Sequence, residues 1–289
     1  MSSVKQWILR LVGGGVAVVL LAATVIYVMS ERAITRTYTF REAPVSRPTD
    51  SLSLARGAHF VELSCRGCHT ETMQGGVMFD QPGVARLIAP NVLERLARYT
   101  DAEFAGYMRY GVKKDGSSPF VMPPPGFYHM SDADMGAMIA YLRSLPTPPV
   151  IKLATNSYGP LGRLGIVMGQ VGNAASYIDT SVARIGVDSM YLTARRGEYM
   201  ARMICGDCHG AKLTGDPATP SPSIASASGY DLSQFIELIR MGTPRDPTTK
   251  LTLMAEVARA TLKRLTDDEI AVIHTYLAAL PQTGVPGIK

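Results

Sequence analysis

Cysteine is scarce in this 289-residue chain: there are four, Cys65, Cys68, Cys205 and Cys208, and all fall in two short runs. None is left over for a separate disulfide framework. The sequence also lacks a basic block or a basic stretch interleaved with aromatics, so nothing in it argues for nucleic-acid binding. It carries neither a nucleophile elbow nor a glycine-rich nucleotide fingerprint, which leaves no visible catalytic constellation. No alternating apolar strand flanks either cysteine run, and a thioredoxin-like redox site needs that strand-and-helix context. A four-cysteine zinc site normally sets its two Cys-x-x-Cys halves about 15–20 residues apart. Here more than a hundred residues separate Cys68 from Cys205.

The two runs are Cys65-Arg66-Gly67-Cys68-His69 and Cys205-Gly206-Asp207-Cys208-His209. Cys-x-x-Cys-His is the attachment signature of a c-type haem, in which two thiols bond the porphyrin and the adjacent histidine ligates the iron. The spacing has a mechanical basis. On one helical turn, cysteines three apart share a face, and the next residue projects its imidazole beneath the macrocycle. The sequence therefore predicts two covalently bound haem c groups, one on Cys65 and Cys68 and one on Cys205 and Cys208. His69 and His209 each supply one axial ligand.

Leu11 to Met29 is an uncharged run of 19 residues. At 1.5 Å per residue it spans about 28 Å, one hydrocarbon thickness. Trp7 and Tyr27 sit near its ends, where interfacial aromatics are favoured. A cleaved signal peptide has a shorter apolar region and a small-x-small cleavage site, which Tyr27-Val28-Met29-Ser30 does not offer. The reading is an uncleaved anchor over residues 1–32, with a short cytoplasmic amino terminus. Lys5 and Arg10 precede the span while Arg32, Arg36 and Arg41 follow it, so charge alone orients it weakly. The formal net charge of +5 suits an acidic partner or an anionic membrane face.

Length suggests about two domains, and three matched blocks supply them. Ala55-Arg56-Gly57 precedes Cys65 as Arg195-Arg196-Gly197 precedes Cys205, with eight residues from glycine to cysteine in both. Glu103-Phe104 leads to Arg109-Tyr110-Gly111 as Gln234-Phe235 leads to Arg240-Met241-Gly242. Ser131 and Thr266 are N-cap candidates for two last helices, each with a carboxylate three residues on, at Asp134 and Glu269. Met135, Met138, Ile139 and Leu142 recur at helical spacing, as do Ile270, Ile273 and Leu277, and read as core. Pro146 and Pro281 stop these helices. The expected organisation is a linker over 33–50, a first domain over 51–147, a Pro/Gly-rich connector over 148–188 and a second domain over 189–289. In the connector, Gly159, Gly162, Gly165, Gly169 and Gly172 fit either a small-residue helix face for close packing on a partner or an irregular link. Arg163, Gln170, Asn173 and Asp179 argue against a second span.

An amino-terminal helix into Cys-x-x-Cys-His, a middle helix, a loop and a carboxy-terminal Tyr-Leu helix resembles the class I cytochrome c fold. Ala89-Pro90-Asn91, Thr100-Asp101-Ala102-Glu103-Phe104, Gly111-Val112 with Asp115-Gly116, and Met122-Pro123 resemble the haem domains of cytochrome subunits of membrane-bound sugar, alcohol and gluconate dehydrogenases. The resemblance implies an all-α fold: an N-terminal transmembrane helix followed by two class I cytochrome c-like helical domains. It also implies haem attachment outside the cytoplasmic membrane, hence a single-pass inner-membrane protein with its haem domains on the periplasmic side.

The resemblance further implies a methionine as second iron ligand, on the loop before each last helix. In the first half the candidates are Met122, Met130 and His129. Met122 is preferred because Met-Pro resembles the family's ligand motif and Pro123-Pro124-Pro125 stiffens the loop. In the second half they are Met241 and Met254. Met254 is preferred because its place before Thr266 is similar to that of Met122 before Ser131, although Ala255 stands where the family often has proline. His59 and His274 read as packed or partly exposed, and Arg56 and Arg196 as possible partners of haem propionates.

These features imply a membrane-tethered dihaem cytochrome that relays single electrons. Its donor would be a dehydrogenase or quinol-oxidising complex, its acceptor an oxidase or soluble carrier. It would stand free or serve as a non-catalytic subunit of a respiratory or photosynthetic complex. The alternative is a dihaem peroxidase-like enzyme with one open haem site.

Overall fold

The structure, a computed structural model, describes residues 2–149, 151–185, 193–216 and 221–280. The start of the second domain at 189 and the helix stop at Pro281 lie outside these residues. The apolar run near the amino terminus lies within one long helix, α1 (Ser2–Ile34). Its most apolar window has a mean hydropathy of 2.4 and buries none of its residues in the protein. Side chains such as Val19 and Leu21 are bare along its length. A helix that is apolar all round and unpartnered is suited to lipid rather than water.

The first half runs through α2 (Ser51–Ser64), α3 (Arg66–His69), a hairpin of β1 (Gly76–Gln81) and β2 (Ala85–Ala89), α4 (Val92–Leu96), α5 (Asp101–Tyr110), α6 (Gly126–His129) and α7 (Asp132–Ser144). A two-residue β3 (Ser157–Tyr158) adds to the far edge of β2, and α8 (Pro160–Val167) and α9 (Ala174–Tyr177) follow. The second half comprises α10 (Thr193–Ile204), α11 (Gly206–His209), α12 (Leu232–Met241), α13 (Leu253–Ala260) and α14 (Asp267–Ala278). The fold is mainly helical, as expected, but the hairpin is an addition that helical periodicity does not announce. Only Gly76 and Met78 of β1 turn even partly inward, and Val77 and Phe79 are exposed, so its apolar pattern is weak. Pro82-Gly83 makes the turn.

The matched blocks become matched contacts. α2 crosses α7 at Gly57, where a Cβ would stand 2.0 Å from the Ala137 carbonyl oxygen. α10 crosses α14 at Gly197, where a Cβ would stand 2.1 Å from that of Val272. Only a bare Cα lets either pair approach so closely. Capping boxes open both middle helices, Thr100 with Glu103 on α5 and Asp231 with Gln234 on α12. They bury Phe104 and Met108 in one half, Phe235, Leu238 and Ile239 in the other, and a single apolar core runs through both halves.

The carboxylates at the third position of α7 and α14 part company. Glu269 closes a capping box with Thr266, but Asp134 does not turn back to Ser131. Its buried side chain instead pairs with Arg56 at 2.7 Å and accepts from Tyr199 Oη at 2.6 Å. The partner of Glu269 also comes from the other half: His59 Nε2 stands 2.9 Å from both carboxylate oxygens. His59 and Tyr199 occupy the same place, two residues after the crossing glycine of their helix. Each half thus sends that residue to the corresponding acid of the other, and the two interlock reciprocally. Arg196 likewise binds Asp268, at 2.6 Å. Arg56 and Arg196, read from sequence as possible propionate partners, are therefore engaged at the tops of the last helices.

The hydrogen bond that His59 donates to Glu269 raises the His59 pKa, with burial opposing it. Burial alone would raise Glu269, but the bonds from His59 and the Thr266 N–H outweigh it and hold the carboxyl low. The His59 contribution is full below its ordinary value of about 6.5 and fades as pH rises through the elevated one. The Glu269 contribution is full above about 4.5 and fades as pH falls through its depressed one. In a double-mutant cycle of His59→Gln and Glu269→Gln, read by urea midpoints, we expect a coupling of about 1 kcal/mol near pH 6. It should weaken as pH rises through the elevated His59 value, where the ion pair gives way to a neutral-donor hydrogen bond.

Candidate metal centres

Both attachment runs sit where a long helix breaks into a single further turn. In the first, the Cys65 N–H still donates to Val61 at 2.9 Å, and the His69 N–H donates back to the Cys65 carbonyl at 2.9 Å. In the second, Cys205 donates to Ala201 at 2.8 Å and His209 to Cys205 at 2.9 Å. Burial pushes the Cys65 and Cys205 thiols up to about 12 and raises Cys68 and Cys208. Among the described residues no group of three or more His, Cys, Asp and Glu side chains could hold a metal ion.

Each histidine is aimed by a proline carbonyl. His69 Nδ1 donates to Pro90 at 2.8 Å, and His209 Nδ1 donates to Pro222 at 2.7 Å. A carbonyl only accepts, so the proton is fixed on Nδ1 and Nε2 keeps its lone pair for a metal. Burial also lowers the pKa of His69, against the Pro90 bond, which favours the neutral ring. The intervening loop is held in the same way twice. Gly75 and Gly215, at φ 83° and 96°, donate to the His69 and His209 carbonyls, both at 3.0 Å. Val92 then donates to Met73 at 3.0 Å and Ile224 to Leu213 at 3.1 Å.

Opposite His209 lie two adjoining cavities of about 240 and 370 Å³, and Cys205, His209, Pro222, Leu251 and Met254 line both. Val257, Leu262, Phe235, Leu238 and Ile239 complete mainly apolar walls. Met254 therefore shares this space with His209. Met241 is exposed at the end of α12. In the first half Met122 packs against the core that contains Cys65, while Met130 is wholly buried beside the cap of α7. His129 is buried with Nδ1 unpartnered, and burial with nearby Arg202 and Arg184 lowers its pKa to about 4. His274 instead binds the Tyr230 carbonyl at 2.9 Å.

Met254 lies on α13 rather than on the loop expected from sequence, and the segments that follow Met122 and Met254 are tied down by a repeated arginine. Arg109, fully buried, donates to the Met130 carbonyl at 2.7 Å and pairs with Asp132 at 2.6 Å. Arg240 pairs with Asp267 at 2.7 Å and donates to the Lys263 carbonyl. A second repeated contact precedes each methionine. Tyr99 Oη accepts from the Lys114 N–H at 3.4 Å and Tyr230 Oη from that of Arg245 at 3.0 Å. Each cationic group also lies over its tyrosine ring.

An attachment turn, a histidine locked with Nε2 free and an apolar slot with a facing thioether fit a haem c. The cytochrome c family profile matches residues 54–146. This stretch is a cytochrome c domain. Such a domain holds haem c covalently. Over most of its length the chain is similar to the fructose dehydrogenase cytochrome subunit of Gluconobacter japonicus, 23% identical over 81% of this chain and 54% of the relative. It is also similar to the cytochrome c subunit of the quinone alcohol dehydrogenase of Gluconobacter oxydans (strain 621H), 25% identical over 82% of this chain and 56% of the relative. A shorter stretch is 37% identical to the corresponding subunit of Gluconacetobacter polyoxogenes, over 32% of this chain and 22% of that protein. The chain spans about half the length of the relatives it matches end to end.

Sequence reasoning missed the proline carbonyls. Pro90 follows its histidine by 21 residues and Pro222 by 13, because the hairpin lengthens that step in the cytochrome c domain. Arg109 and Arg240 stood in a matched block, but without a role. At Gly75 a Cβ would meet the Ala89 carbonyl oxygen at 2.2 Å, on a left-handed backbone. Gly75→Ala should therefore destabilise the cytochrome c domain by about 1–3 kcal/mol. A lowered denaturant midpoint checks it.

Proposed function

We propose that this protein is a membrane-tethered dihaem cytochrome that relays single electrons as a subunit of, or partner to, a membrane-bound dehydrogenase. The observation that carries the reading is the repeated histidine-to-proline-carbonyl bond, at 2.8 and 2.7 Å, in two halves that interlock. It extends the haem-binding plan of the cytochrome c domain to the second half. The names of the relatives, cytochrome subunits of fructose and quinone alcohol dehydrogenases, support the same assignment.

In this reading Cys65 and Cys68 bond one haem and Cys205 and Cys208 the other, with His69 and His209 as the first iron ligands. Met122 and Met254 supply the second. Bound haem iron contributes reversible one-electron chemistry, and a thioether ligand raises its potential. The chain's own work is positional. Pro90 and Pro222 fix the imidazoles, Arg109 and Arg240 fix the segments that follow the methionines, and apolar walls exclude water. Arg245, at the wider cavity of the second half, is placed to meet an acidic edge of the group, the part that Arg196 does not take. The Gly126 N–H, four residues beyond Met122, donates to Asp207 at 2.7 Å inside the second attachment run. That bond ties the loop after Met122 to the second attachment run. Burial pushes the Asp207 carboxyl up to about 7.

α1 serves as the tether, with the remainder of the chain on the periplasmic side. Tethering raises the effective concentration of the relay beside a partner in the same membrane. The donor would be a dehydrogenase or quinol-oxidising complex, the acceptor an oxidase or soluble carrier.

Pyridine haemochrome analysis should give two haems per chain, and one would overturn the dihaem assignment. Met122→Ala and Met254→Ala should each remove about half of the methionine-to-iron charge-transfer absorbance and lower the potential of one centre. Met241→Ala should change neither. An unaltered spectrum in either of the first two would show that another group holds the iron. Peroxide turnover by the purified protein would instead favour the peroxidase-like alternative.

A further inference from the structure

The glycines of the connector are spent inside the chain. At Gly159 a Cβ would stand 2.5 Å from the Gly83 carbonyl, and at Gly162 one would stand 2.1 Å from that of Val84. These bare positions let α8 close on the hairpin turn, with Ile166 buried. Arg163 reaches the other way. Its guanidinium bonds Ser30 Oγ at 2.8 Å, pairs with Glu31 at 3.0 Å and lies 4.2 Å from the centre of the Tyr27 ring. α8 is therefore clamped between the hairpin and the last turns of α1.

A further face of α8 has no such cover. Leu161, Leu164 and Met168, spaced i, i+3 and i+7 along one side, are 63%, 37% and 62% exposed, and Val171 just beyond is 47% exposed. Single exposed apolar residues are ordinary, but a stripe of them beside a bare apolar helix marks an interaction surface. Its level identifies the occupant. The uncharged run of α1 ends at Met29 and the clamp spans Tyr27 to Glu31, so α8 sits where hydrocarbon gives way to water. Tyr27 under Arg163 is the aromatic-and-cation pair expected at that depth. Arg32 and Arg36 follow, exposed, at headgroup height.

We propose that α8 is a second membrane contact, with Leu161, Leu164 and Met168 sunk into the headgroup–acyl boundary of the leaflet from which α1 emerges. This rests on the tether assigned to α1. Two points of contact fix the tilt of the haem-bearing halves on the bilayer, where a helix and linker alone would let them swing.

The test uses the whole protein, purified alone, in vesicles of phosphatidylcholine and phosphatidylglycerol. A nitroxide is placed at Val19→Cys in α1, at Leu161→Cys or Leu164→Cys in α8, or at Leu232→Cys on α12, with labelling of the unsubstituted protein subtracted. Collision with oxygen, which concentrates in lipid, is compared with collision with a water-soluble nickel chelate. The α8 sites should share the lipid signature of position 19, with an oxygen-to-nickel ratio at least about fivefold above that at position 232. Nickel access at 161 and 164 equal to that at 232, with position 19 still in lipid, overturns the α8 contact alone. Exclusion of both reagents from 161 and 164 means protein covers the stripe and also overturns it. Nickel access at position 19 removes the tether itself.

Discussion

A histidine can hold iron only while the ligating nitrogen is unprotonated and pointed correctly, and one bond here meets both conditions. The Nδ1–H to proline-carbonyl bond fixes the tautomer and the ring plane together, at 2.8 Å for His69 and 2.7 Å for His209. Much of the surrounding loop makes sense as support for that carbonyl. The left-handed glycine, Gly75 or Gly215, doubles the chain back onto the histidine's own carbonyl. The following bond, from Val92 to Met73 or Ile224 to Leu213, closes the turn that delivers the proline.

The same economy governs how the halves meet. An acid at the third position of a helix would ordinarily serve its own N-terminus. Asp134 abandons that role, and with Glu269 it receives a side chain from the opposite half, Tyr199 or His59. Both receptors are largely buried and both donors stand two residues beyond a crossing glycine. The geometry that brings each half's first and last helices together thus also sets where the halves touch. A buried carboxylate left without its partner is costly, so these pairs favour one mutual arrangement over others. The Asp207 bond to Gly126 adds a third tie, between an attachment run and the loop that follows Met122.

What the sequence made legible was whatever depends on neighbours along the chain. The attachment runs, the caps Ser131 and Thr266, the repeated block ending in Gly57 and Gly197, and the apolar span all have local signatures. What it hid depends on partners far away. Arg56 and Arg196 read as partners of haem propionates until the acids at the tops of the last helices are brought to them. Pro90 and Pro222 could not be matched by spacing because eight more residues separate the first pair, 21 against 13. The hairpin responsible is short and largely exposed, so its alternation carries little signal. Met254 stood as one of two candidates by position, and the choice is sharpened by the apolar space it shares with His209.

The connector shows how one pattern can mislead about its target. Glycines three or four apart predict a close helix contact, and two of them make one, with the protein's own hairpin turn. The hairpin then acquires a reason: α8 leans on its turn at Gly83 and Val84. With Arg163 bonded to Ser30 and Glu31, the anchor is braced against the first half directly. For the proposed relay, which would meet a partner in the same membrane, such bracing would restrict orientation and raise the fraction of productive encounters. The hairpin that obscured the repeat thereby joins the cytochrome c domain to α1 through α8.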